Sequence, residues 1–91
     1  ISKRDKAFLE YLREEYRFVA RDENGKLFVY ETRPKKEEVS WVSFGLISEH
    51  YLPLNPIFNV DFPMIKWSDE EPWTIEDLKK LEVVDEYELI N

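Results

Sequence analysis

The sequence has no cysteine, a single histidine and only two glycines. Without cysteine there are no disulfides, no thiolate nucleophile, no zinc finger and no iron–sulfur cluster. A secreted domain this small would ordinarily carry disulfides, so their absence points to a reducing cytoplasm. No apolar run approaches the roughly 18 residues that mark a membrane span, and no signal-like segment is present. The chain opens on Ile1, as a trimmed chain would.

Catalytic signatures are missing as well. Gly25 and Gly45 stand alone, so no glycine-rich loop can cradle a phosphate. No Gly-x-Ser-x-Gly elbow exposes a serine, and no spaced Asp-x-Asp run with a loop glycine builds an EF-hand. His50, beside Tyr51, has no second histidine to act with, and a surface or hydrogen-bonded role outweighs a catalytic one. These absences point to a protein that is not an enzyme and uses no cofactor or metal.

What the chain does have is rings and acid. Aromatic residues make up 15% of its 91 residues, enough for one domain whose large side chains offset its small size. The formal charge is −7, unevenly spread. Ile1–Lys36 holds ten basic against seven acidic residues, whereas Glu37–Asn91 holds three against thirteen. An acidic second half weighs against direct binding to a nucleic-acid backbone, whose phosphates need Lys or Arg.

The opening "ISKRDKAFLEYLREEYR" predicts a helix that ends near Glu15 or Tyr16. Ser2 caps it, Asp5 stands three residues on, and Phe8, Leu12 and Tyr16 form a stripe widened by Leu9 and Tyr11. Arg13 and Arg17 then suit its negative end. In "YRFVARDENGKLFVYETR", Asn24-Gly25 predicts a two-residue type I′ hairpin in which Glu23 faces Lys26. That register puts Phe18, Ala20, Leu27 and Val29 on the core face. Arg17, Val19, Arg21, Phe28 and Tyr30 share the other face, where arginines alternating with rings could grip a single strand of nucleic acid or a peptide. Cross-strand packing of arginine stems over the rings accounts for the same pattern, and burial of this face by later strands is a third reading.

"RPKKEE" reads as an exposed connection and "VSWVSFGLI" as a central or covered third strand. The proline-rich, apolar stretch from Pro53 to Pro63 wraps the core or forms a recognition surface, core wrapping being favoured; in a larger assembly it would be the self-contact. "MIKW" reads as a short fourth strand, and "TIEDLKKL" as a helix capped by Thr74 with Ile75, Leu78 and Leu81 buried. "EVVDEYELIN" closes the chain as a candidate edge strand. The fold class is therefore α+β: an N-terminal helix on a mostly antiparallel sheet of three to five strands, with a short C-terminal helix.

The candidate site is "IKWSDEEPWTIEDL". Asp69, Glu70 and Glu71 precede a helix start that also carries Glu76 and Asp77, and anions there are favoured by the helix dipole. Nine acidic residues nevertheless fall between Asp69 and Glu88 against only Lys79 and Lys80. Trp67 and Trp73 flank the triplet as interface anchors would, inside a charged rim that draws basic partners quickly.

"ARDENGKLFVYETRPKK" and "IKWSDEEPWTIEDL" together resemble small uncharacterised proteins encoded in phages and prophages of Gram-positive bacteria. The resemblance covers about a third of the chain, and no functional residue transfers with it. It implies a host-cell cytoplasmic setting and an accessory protein that acts by binding another protein. Some such proteins block nucleic-acid enzymes by presenting DNA-like negative charge. The leading expectation is thus an inhibitor or modulator of a partner with a basic surface, using Trp67, Asp69, Glu70, Glu71, Trp73, Glu76 and Asp77. The alternatives are a nucleic-acid or peptide binder using Arg17, Arg21, Phe28 and Tyr30, and a structural subunit of a larger assembly.

Overall fold

The computed structural model describes residues 1–43, 51–54 and 58–87, with backbone alone at Tyr51. Helix α1 runs Lys3–Tyr11, followed by strands β1 (Phe18–Arg21), β2 (Leu27–Tyr30), β3 (Lys35–Lys36), β4 (Trp41–Val42), β5 (Tyr51–Pro53) and β6 (Trp73–Thr74), and helix α2 (Ile75–Lys79). The order β5-β2-β1-β6 makes one antiparallel four-stranded sheet, and β3-β4 a separate two-stranded one. The architecture is α+β, as expected. Among the described residues no helix is long and apolar enough to cross a membrane.

Helix α1 starts as its sequence predicts and ends early. Ser2 Oγ accepts from the Asp5 amide at 3.1 Å. The chain turns extended at Leu12, so Arg13 and Arg17 lie beyond the helix instead of on its last turn. Another helical turn would bury nothing, because Arg13, Glu14 and Glu15 are all exposed. A turn closed by Tyr16 N–H to Arg13 C=O instead brings Tyr16 back against the core. Tyr11, placed in the buried stripe by its spacing, is 89% exposed.

The hairpin shows the most instructive difference. Gly25 has φ 89°, but Asn24 does not share the positive φ that a type I′ turn requires, Phe62 being the one non-glycine residue with it among those described. Gly25 N–H donates to Asp22 C=O and Asp22 N–H to Lys26 C=O, both at 2.9 Å. The loop is therefore three residues, a type I turn ending in a left-handed glycine. Phe18 faces Tyr30 and Arg21 faces Leu27, one residue away from the expected pairing. Because side chains alternate, that slip reverses β1: Val19 and Arg21 join Leu27 and Val29, and Phe18 and Ala20 join Phe28 and Tyr30.

Both sheet faces are consequently covered. Val19, Leu27 and Val29 pack with Leu9, Leu54, Phe62, Ile65, Ile75 and Leu78 in the main core. On the other side Ala20 and Tyr30 meet Trp41, with Phe18, Phe28 and Trp67 around them. The two-residue β6 and three-residue β5 keep the sheet edges short, which limits edge pairing.

Three further expectations are corrected. Among the described residues of "VSWVSFGLI" the strand is Trp41–Val42, which pairs with Lys35–Lys36, so "RPKKEE" is part of a small sheet and Val39 is exposed; Phe44 onward lies outside the described residues. "MIKW" forms turns, one closed by Ile65 N–H to Phe62 C=O. The tail is no strand as far as Tyr87; its backbone pairing with the body is an isolated parallel bridge, Ser2 to Val84, beside side-chain ties from Asp85 and Tyr87. By contrast α2 is capped as expected, Thr74 Oγ1 accepting from the Asp77 amide at 3.0 Å. Leu54, Val60 and Phe62 wrap the core from the proline-rich segment.

Asp22 joins the two sheets, its Oδ1 accepting from the Trp41 amide at 2.8 Å. Burial pushes its carboxyl above the ordinary value, partly opposed by that N–H. A carboxyl with a raised folded-state pKa holds its proton more tightly when native, so ionisation subtracts stability as pH rises through this window. Asp22→Asn keeps an accepting oxygen and removes the charge. The variant is expected to be at least as stable as wild type at pH 7, the difference vanishing as pH falls through the ordinary carboxyl value of 3.8. Urea melts at both pH values check this; a loss above about 1 kcal/mol at pH 7 would show that the ionised carboxylate is needed.

Candidate functional site

The acidic loop is tied down by its own chemistry before it offers anything outward. Asp69 Oδ2 accepts from the Lys66 amide at 2.9 Å and from the Trp73 indole N–H at 3.2 Å. The Asp69 amide donates back to Lys66 C=O at 3.1 Å. This aspartate is therefore the inner brace of the turn, not a presented charge. Trp73 sits in β6 beside Val19 and packs half-buried on the main core. Trp67 is half-buried against the Ala20–Tyr30–Trp41 cluster. Neither indole protrudes as an anchor.

Cations from the basic half reach across to the loop. Arg33 pairs with Glu71. Lys36 Nζ donates to the carbonyls of Trp67 and Asp69. The same ammonium lies 4.2 Å from the centroid of the Trp67 ring and 5.7 Å from that of Trp41. On α2, Glu76 is 3.5 Å from Lys80, one turn on, and farther along Asp85 pairs with Lys3 at 2.7 Å.

What remains is a smaller acidic edge than the sequence suggests. Ser68, Asp69, Glu70, Glu71, Pro72, Trp73 and Asp77 line one shallow, open cleft. Glu70 and Asp77 are exposed there with no cationic partner among the described residues. Glu82 and Glu86 are also exposed but do not line this cleft; Glu88 lies outside the described residues.

The hairpin face expected from Arg17, Arg21, Phe28 and Tyr30 is not assembled. The register puts Arg21 on the opposite side of the sheet from Phe28 and Tyr30. Its guanidinium donates to the carbonyls of Ile65, Gly25, Asp61 and Phe62 at 2.6–3.2 Å. Burial lowers its pKa, partly offset by Asp61. Tyr30 is buried, its hydroxyl donating to Trp41 C=O at 3.2 Å. Arg17 stays exposed, lining a separate cleft between α1 and α2. Cations do lie over rings here, but they are Lys36 over two tryptophans and Arg33 over Phe18 at 6.0 Å. Nothing local distinguished these two residues within a basic run; Trp67 and Glu71, which tie them to the acidic loop, lie 31 and 38 residues away.

Elsewhere, Phe8, Tyr11, Leu12, Arg13, Tyr16, Leu52 and Phe58 line an open apolar groove. Among the described residues no group of three or more acids and histidines is placed to hold a metal ion, and His50 lies outside them. Comparison with known proteins gives no match: no family model, no curated protein and no solved structure aligns with this chain.

Proposed function

We propose that this protein is a non-enzymatic binding module that offers carboxylates to a basic surface on a protein partner, in the manner of an inhibitor or modulator of a nucleic-acid-handling protein. The observation that carries the reading is the shared cleft. Glu70 and Asp77 are brought to one concave edge with Glu71 and Trp73, and neither has an ion-pair partner among the described residues. A net charge of −7 keeps the surrounding field negative and steers a basic surface toward this edge. Asp69, and Trp67 with it, supports the surface from within.

The test reverses only the outward charges. Glu70→Lys with Asp77→Lys should lower the affinity for a partner captured from host-cell extract by about tenfold or more at low ionic strength, with a smaller loss at high salt. Equal affinity for wild type and the double variant at low salt would remove this edge as the contact.

A further inference from the structure

We propose that the Lys36 ammonium is a charge-dependent latch that sets the conformation of the acidic loop. The proposal deepens the reading above and rests on it for its functional consequence, although the latch itself is defined by geometry alone. The turn from Lys66 to Trp73 closes mainly on itself, through Asp69 with the Lys66 amide, the Lys66 carbonyl and the Trp73 indole. Its polar ties to the β3–β4 side of the molecule are two cations from one short stretch, Arg33 to Glu71 and Lys36 to the carbonyls of Trp67 and Asp69. The Arg33–Glu71 pair is largely exposed, so solvent screens it. Lys36 is half-buried between the Trp67 and Trp41 rings.

The chemistry there depends on the charge. Two carbonyl oxygens and two indole faces converge on one ammonium, and the contact with the ring face is attractive only for a cation. An uncharged side chain of the same length would fill the space, leave both carbonyls without this donor and lose the ring attraction. Glu70 and Glu71 follow Asp69 directly, and both line a second cleft together with Arg33, Lys36 and Trp41. The position of the Asp69 carbonyl therefore governs where those carboxylates stand. Latched, the loop gathers them on one edge; released, it disperses them. A partner that recognises the gathered edge favours the latched state, and by linkage the latched state favours the partner.

The experiment compares Lys36→Met, which keeps length and apolar bulk, with Lys36→Arg, which keeps a cation able to donate and to stack. Hydrogen exchange of the Lys66 and Asp69 amides and of the Trp73 indole N–H is followed by NMR, with Val19 and Val29 as references in the central strands. Lys36→Met is expected to speed exchange in the loop by about tenfold or more with the references unchanged, and Lys36→Arg to stay within about threefold of wild type. Unchanged loop exchange in Lys36→Met would overturn the latch. Equal acceleration of loop and references, or identical behaviour of the two variants, would overturn it too. Loop release combined with unaltered partner affinity supports the latch and tells instead against the acidic edge as the contact surface.

Discussion

Replacing Asp5 by alanine is expected to lower the unfolding free energy by about 3–5 kcal/mol, the largest loss from any single polar substitution here. Asp5 is fully buried within α1, yet it makes no return bond to the helix start. Its two oxygens accept from the Asp61 amide at 3.0 Å, the Phe62 amide at 2.8 Å and the Tyr87 hydroxyl. Burial, and then the bond to Asp5, hold the Tyr87 phenol above its ordinary pKa. One carboxylate thus joins the first helix, the turn beneath it and the C-terminal segment. Alanine would leave these donors without their acceptor, and an unsatisfied buried donor costs about 1–3 kcal/mol. A domain of this length holds on the order of 5–14 kcal/mol in all, so the variant should approach unfolding. Asn should cost about 2–3 kcal/mol, because its amide nitrogen turns a donor toward donors. Urea denaturation measures both, and a loss below about 1 kcal/mol for Asp5→Ala would mean that water replaces the carboxylate.

The second large effect belongs to Phe62, which is fully buried and has φ 41°, in the left-handed region. Few bulky residues adopt that backbone, at a cost of about 1–2 kcal/mol. It is held from both sides. Asp5 takes the amides of residues 61 and 62, and Arg21 donates to their carbonyls at 2.8 and 3.2 Å. The ring meets Phe8 edge-on at 6.3 Å within the main core. Phe62→Ala should therefore cost about 3–5 kcal/mol through the cavity it leaves. Phe62→Gly should cost no more than Phe62→Ala although it removes one carbon further, since glycine relieves the backbone conformation. A glycine variant less stable than the alanine variant by about 1 kcal/mol would contradict this account of the turn.

The hairpin shows how far a local signal reaches. Asn24-Gly25 announces a turn, and a turn is there, but the dipeptide serves two-residue and three-residue loops alike. One residue of difference reversed β1 and separated Arg21 from Phe28 and Tyr30. The candidate site was legible in the same partial way. Asp69, Glu70, Glu71, Trp73 and Asp77 do line one cleft, although Trp67 and Glu76 do not, and the use of Thr74 as a cap is as read. Which acids face outward was not legible, because neutralisation of Glu71 by Arg33 joins residues 38 apart.

By itself the sequence determined the α+β class, the capped starts of both helices, a glycine turn near residue 25 and the separation of charge between the two halves. These follow from interactions within about four residues or from composition, which a linear chain displays directly. Only the tertiary structure decided the strand register, the burial of Asp5 and Arg21, and the seat of Lys36 between two indoles. The hairpin register pairs residues only 6 to 12 apart, but the burial of Asp5 and Arg21 and the seat of Lys36 depend on partners brought together from separations of 57, 44 and 31 residues. At such distances a buried charge is set by which carbonyls and amides the fold leaves unpaired, and no local pattern of residues carries that information.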